Sequence, residues 1–152
     1  MPQVLAKANE QVFHPRVAPD GRWMVYVARE NIETIGIFVQ PFPGPGRRWQ
    51  IASNGSSPEW RADGKEIVYI GVDGIWSIAV AGVGNDLRFG TPQRLFSANL
   101  NLRGPGGPGI PARRLAVSRD GSRFFLPLRR EQPEANVIHV RTGAWVNQAR
   151  SR

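Results

Sequence analysis

Apolar and polar residues alternate in short bursts along this chain, and Gly, Pro, Asn and Asp fill the gaps between bursts. Alternation at period two marks half-buried strands, and nowhere does a 3.6-residue period hold for three turns. The pattern predicts an all-β chain. Its strands are Phe13–Val17, Trp23–Ala28, Ile35–Pro41, Arg48–Ala52, Pro58–Arg61, Glu66–Ile70, Ile75–Val80, Gln93–Phe96, Arg114–Val117, Arg123–Leu128 and Asn136–Arg141, with a weaker one at Ala144–Asn147.

Many short, evenly spaced strands fit a sandwich, a barrel or a propeller, and an internal repeat chooses among them. Aligned on Asp-Gly, Val17-Ala18-Pro19-Asp20-Gly21-Arg22-Trp23-Met24-Val25-Tyr26 matches Trp60-Arg61-Ala62-Asp63-Gly64-Lys65-Glu66-Ile67-Val68-Tyr69. A third copy runs Val117-Ser118-Arg119-Asp120-Gly121-Ser122-Arg123-Phe124-Phe125-Leu126, and Pro15 and Pro58 hold the same place five residues before Asp. The Asp residues stand 43 and 57 residues apart. The first spacing matches the ~40–45 residues of a four-stranded blade.

Each copy joins two apolar strands through a tight connection. Gly, without Cβ, takes the positive φ that the turn needs, while the Asp carboxylate accepts nearby backbone amides. Asp20, Gly21, Asp63, Gly64, Asp120 and Gly121 are therefore read as turn residues at equivalent corners of successive blades. A fourth Asp-Gly, Asp73-Gly74, reads as a second hairpin within the middle blade.

The expected architecture is a partial propeller of about three four-stranded antiparallel blades, approximately residues 12–53, 54–98 and 113–147, in a single domain segment. A Gly/Pro-rich inter-blade loop, 99–112, absorbs the extra length and has linker composition, with no Walker Lys-Ser/Thr to make it a phosphate cradle. Propellers close with about 4–8 blades, so three blades leave the first and last apolar faces to be covered. A longer propeller would cover them, and so would a homodimer completing a six-bladed ring.

Composition narrows the chemistry. The 152 residues carry a formal +8, but 18 of the 20 cations are Arg and they occur as scattered pairs, Arg47-Arg48, Arg113-Arg114 and Arg129-Arg130. No helix gathers them into a stripe, so nucleic-acid binding is disfavoured. Zero Cys excludes a disulfide scaffold, a thiolate zinc site and a cysteine nucleophile. With only His14 and His139, no spacing supplies a metal site or a His-based triad, and no cofactor is expected. The N-terminal residues lack the apolar run of a signal peptide, and no stretch approaches the ~20 apolar residues of a membrane span. Localisation is left open, including an extracytoplasmic place within a longer parent.

At these residues the sequence resembles the TolB-like, WD40-like propeller repeats of bacteria, whose blades open on a Ser-Pro-Asp-Gly-type turn. The segment from Ile37 to Ile51, with Pro58-Glu59-Trp60-Arg61-Ala62-Asp63-Gly64-Lys65-Glu66, is similar to propellers that follow the kinase domain of bacterial serine/threonine protein kinases. Asn136-Val137-Ile138-His139-Val140, then Trp145, resembles their closing strand. Ala18, the Arg61-Ala62 pair and Arg119 depart from the repeat's Ser-Pro, while Asp-Gly is intact. No kinase Gly-rich loop, His-Arg-Asp or Asp-Phe-Gly is present, so the resemblance implies a sensor or interaction portion alone.

No Gly-x-Ser-x-Gly elbow occurs either, and the expected function is non-catalytic: a scaffold binding a protein or small ligand. The innermost strand of each blade lines the channel, which nominates His14, Arg16, Glu59 and Arg114 for contact. Trp49, beside Arg47 and Arg48, joins them as a binding candidate and is the aromatic to watch for exposure, whereas Trp23, Trp60, Trp76 and Trp145 suit packing. Two alternatives stand beside this reading: a segment gating a prolyl-oligopeptidase-like hydrolase, and a basic nucleic-acid-binding domain.

Overall fold

A computed structural model of the chain describes residues 11–29, 35–44, 46–83, 86–98, 115–126 and 139–142, the last four by backbone only. The first sheet is an antiparallel meander of β1 (Gln11–Val17), β2 (Trp23–Arg29), β3 (Ile35–Pro41) and β4 (Trp49–Ser53), in that order. The second holds β5 (Ser56–Trp60), β6 (Glu66–Ile70), β7 (Gly74–Val83), β8 (Asp86–Phe89) and β9 (Gln93–Ser97), and the third β10 (Ala116–Val117), β11 (Arg123–Leu126) and β12 (His139–Thr142). All pairings are antiparallel, and no helix occurs among the described residues.

The three Asp-Gly turns share one geometry. Gly21, Gly64 and Gly121 adopt φ of 72°, 70° and 73°, and each donates its amide to the carbonyl three residues back, of Ala18, Arg61 and Ser118, at 2.9 Å. In each copy Asp Oδ1 accepts the amide two residues on: Asp20 from Arg22 at 2.9 Å, Asp63 from Lys65 at 3.0 Å and Asp120 from Ser122 at 3.1 Å. The carboxylate thus replaces water on an otherwise unpaired donor and fixes the hairpin entry.

Packing follows from strand alternation with both faces buried. On β6, Ile67 and Tyr69 join β2, β3 and β7 residues Val25, Val27, Ile37, Val39, Ile78 and Val80, forming the core between the first two blades. Val68 and Ile70 turn the other way and meet Leu115, Phe124 and Leu126 of the third. Each such fully buried aliphatic side chain contributes about 1.5–3 kcal/mol relative to exposure. The stack of sheets is therefore held by two apolar layers, the larger of them between the first two blades.

Several details differ from the sequence reading. The second blade has five strands, because β7 runs to Val83 and pairs with both β9 and the unforeseen β8. Leu87 and Phe89 of β8 supply apolar contacts to the layer shared with blade one, which gives the extra strand its physical reason. The first blade's outer face is also closed: Met24, Tyr26, Ala28 and Phe38 are at most 4% exposed, where an uncovered face was expected. Tyr26 donates to Gln40 Oε1 at 2.9 Å, and the Arg48 guanidinium lies 4.3 Å from the Phe38 ring centroid. On the last blade Phe125 does stand out, at 42% exposure. Loop 99–112 and the strand expected at Ala144–Asn147 lie outside the described residues.

Candidate functional site

β1 and β5, the first strands of their sheets, carry matching irregularities. Each pairs with its neighbour through a register shift, between Phe13 and Arg16 in one and Ser56 and Glu59 in the other. At the shifts His14 and Ser57 take φ of 51° and 49°, followed by Pro15 and Pro58. Left-handed backbone costs a non-glycine residue energy, and it persists where surrounding structure over-determines it, as at binding sites. The next residues, Arg16 and Glu59, then meet across the blade boundary.

Arg16 Nε donates to Glu59 Oε1 at 2.9 Å, and Arg16 Nη1 donates to the Pro15 carbonyl at 2.7 Å. Glu59 is 9% exposed, so its charge is held almost out of water by this contact. Trp60 Nε1 donates to the Arg16 carbonyl at 3.2 Å, which ties the same two strands a second time. Three of the residues nominated from sequence, His14, Arg16 and Glu59, thus sit on adjoining first strands, β1 and β5. Arg114 lies outside the described residues, as do the His139 side chain and Trp145.

Trp49, the aromatic to watch for exposure, is packed on several sides. It is half-buried, edge-on to Trp23 at 5.7 Å and 6.0 Å from Phe89 of β8, with Arg47 over its ring at 5.6 Å. Phe89 of β8 thus shields one side of the ring. Trp76, by contrast, donates to Asp73 Oδ1 at 2.9 Å, with Arg94 on the other carboxylate oxygen.

A cleft of about 390 Å³ opens between the first two Asp-Gly turns and the β7–β8 hairpin. Trp23, Trp60 and Leu87 supply apolar wall, and Asp20, Asp63 and Asp86 supply carboxylates. Asp20 and Asp63, turn residues at corners of successive blades in the repeat, border this one space. The missed signal is a contrast within the repeat: Arg61 covers Asp63, whereas Ala18 stands in the corresponding place beside Asp20. Among the described residues no three His, Asp or Glu side chains gather closely enough to hold a metal ion.

Several turn carboxylates are held below their ordinary range. Asp63 is lowered by the Arg61 guanidinium and the Lys65 amide, Asp73 by Trp76 and Arg94, and Asp120 by the hydroxyls of Ser118 and Ser122. A depressed folded-state pKa means the unfolded chain binds protons first as pH falls. The stabilisation is therefore complete above about pH 4 and is lost below it, as pH passes through the folded values. Thermal midpoints are expected to be flat near neutrality and to fall below about pH 4, with a shallower acid limb in Asp120→Asn. An acid limb unchanged in that variant would remove Asp120 from the account.

No protein-family model matches the sequence, and no curated protein does. Among solved structures the chain is similar to an oligogalacturonate lyase in complex with manganese, at 18% identity and TM-score 0.50, covering 78% of this chain and 32% of that one. It is also similar to TolB from Acinetobacter baumannii, at 16% identity and TM-score 0.41, covering 88% of this chain and 44% of the other. The lyase has a β-propeller fold, and its likeness joins the blade geometry described above. The fold is a partial β-propeller. The chain spans about a third of the lyase's length, and at such identity the likeness carries fold alone. No helix among the described residues is long and apolar enough to cross a membrane.

Proposed function

We propose that this chain is a non-catalytic propeller portion of a larger bacterial protein, binding a protein or small ligand along its inner strands. The carrying observation is the Arg16–Glu59 pair at equivalent positions of neighbouring first strands, each one step past a positive-φ residue and a Pro. Arg16 spends Nε and Nη1 within the chain and keeps Nη2 outside any hydrogen bond among the described residues. Its side chain is also the more exposed of the two. An anionic or carbonyl group is the contact this arrangement favours, because a guanidinium already oriented by one carboxylate loses little freedom on accepting a second partner.

Titration of the isotope-labelled chain with a panel of dicarboxylates, amino acids and acidic peptides tests this. Amides of β1 and β5 are expected to shift with at least one member, and Arg16→Ala to abolish the shift. A panel that leaves both strands unperturbed counts against the reading. The net charge of +8 favours a second reading, nucleic-acid binding, and filter binding against salt separates the two. Released counterions would give nanomolar affinity with a steep salt slope. The similarity of residues 37–51 and 58–66 to kinase-linked propellers makes a serine/threonine kinase the first parent to seek, and the coding sequence upstream tests that association. A downstream hydrolase domain would favour the gating alternative instead.

A further inference from the structure

Between the second and third blades, the space beside the Asp-Gly turn is filled from within. Arg61 brings Nε to Asp63 Oδ1 at 3.1 Å, Nη2 to Asp63 Oδ2 at 2.5 Å and Nη1 to Glu66 Oε2 at 2.9 Å. Its stem crosses to the next blade, so close to Gly121 that a Cβ there would meet Arg61 Cδ at 2.9 Å. One arginine side chain thus joins a carboxylate of its own turn to the glycine of the following turn.

One interface earlier the repeat puts Ala18 where Arg61 stands, Asp20 where Asp63 stands and Gly64 where Gly121 stands. All three line the 390 Å³ cleft. The contact across the turns is correspondingly looser, since a Cβ on Gly64 would have Pro19 Cδ nearest at 3.9 Å. The cleft therefore occupies the place that an arginine side chain fills between blades two and three.

Its lining suits the same occupant. Asp20 and Asp86 each engage one backbone amide through Oδ1, and among the described residues neither forms an ion pair. Trp23 stands where blade two has Glu66, and with Trp60 it supplies apolar wall against which the arginine stem can pack. Arg22 and Lys65 also border the cleft; one interface on, the repeat puts Lys65 in the place of Arg22, where it coexists with the bound Arg61 guanidinium, and Ser122 in the place of Lys65. A planar fork matches a carboxylate through two parallel hydrogen bonds, which an ammonium group does not reproduce.

We propose that this cleft is a docking site for an arginine side chain presented by a partner peptide. The guanidinium is held by Asp20 and Asp86, and the stem lies along Pro19 and Gly64. The site is separate from the β1 and β5 residues His14, Arg16 and Glu59, none of which lines it.

The test uses the whole chain, isotope-labelled, titrated with N-acetyl-arginine amide and followed at the tryptophan indole N–H signals. Trp60 and Trp23 are expected to shift saturably while Trp76, outside the cleft, stays still. The neutral citrulline analogue, of nearly the same shape, should bind at least about tenfold more weakly, a difference of about 1.4 kcal/mol. Asp20→Asn and Asp86→Asn should each weaken arginine binding by a similar factor, whereas Asp120→Asn, in the third turn, should not. Asn retains the turn contact, so these variants keep the fold. Ala18→Arg supplies the occupant in cis and should abolish binding, and the Asn variants decide the matter if it does not fold. Equal binding of citrulline, unchanged binding in both Asn variants, or no saturable shift would overturn the proposal. Indole shifts that grow with protein concentration alone and are reversed by the arginine compound would put a second copy's arginine in the cleft and overturn the separate partner.

Discussion

Ile67→Ala is expected to lower the unfolding free energy by about 2–5 kcal/mol, the range for truncating a buried isoleucine to alanine. Ile67 is fully buried on β6, opposite Ile78 of β7, and faces the layer shared by the first two blades. Strands on both sides prevent the sheet from collapsing onto the space left behind, so a cavity cost adds to the lost transfer energy. Urea denaturation should show a lower midpoint with an unchanged slope, since the surface exposed on unfolding is nearly the same. A midpoint within experimental scatter of the parent would mean that the layer between blades one and two does not hold them together.

The same strand shows what could be read from sequence and what could not. Ile67-Val68-Tyr69-Ile70 is an unbroken apolar run, which is legible as a strand because Asp-Gly turns bound it on both sides. Which residue faces which blade was not legible, because period-two patterning loses its contrast when both faces are dry. β8 was missed for the opposite reason. Asp86-Leu87-Arg88-Phe89 has little strand signal of its own, and Ala81-Gly82-Val83 reads as the end of an element. The pairing of Val80–Val83 with Asp86–Phe89, together with burial of Leu87, supplies the order. Long-range contact overrides local preference there.

The candidate site divides along similar lines. Pro15 and Pro58, five residues before Asp in their repeats, align Arg16 with Glu59, so their equivalence was visible in sequence. Their opposite charges become informative only when the blades lie side by side and the pair closes at 2.9 Å. The cleft was less visible still. Ala18 against Arg61 is an ordinary difference between repeats until Arg61 is seen to reach Gly121 of the next blade. Trp49 drew attention because its neighbours Arg47 and Arg48 suggested solvent, while Phe89, which shields one side of its ring, belongs to the strand that sequence did not show.

Gly74→Ala is expected to destabilise the chain by about 3 kcal/mol, the upper end of typical overpacking costs. Asp73-Gly74 reads like the three repeat turns, but its physics is different. Gly21, Gly64 and Gly121 are needed for positive φ, and Gly74 is not among the glycines with that conformation. It is needed for space: a Cβ would stand 2.1 Å from the carbonyl oxygen of Phe96 and 3.0 Å from Ser97 Cα. Those atoms are the backbone of β9, which pairs Gly74 with Ser97 and Ile75 with Phe96. A side-chain end could swing aside at small cost, whereas this strand must shift as a unit. Moving it also draws Phe96 off Phe124, 5.6 Å away across the boundary with the third blade. Gly82→Ala is the matched control, since nothing lies within 4 Å of its Cβ position and no positive φ is required. It should stay within about 0.5 kcal/mol of the parent or gain slightly from a less flexible unfolded chain. Equal midpoints for the two variants in urea would show that β9 is free to move, and the close approach at Gly74 would then not be what joins the hairpin to the third blade.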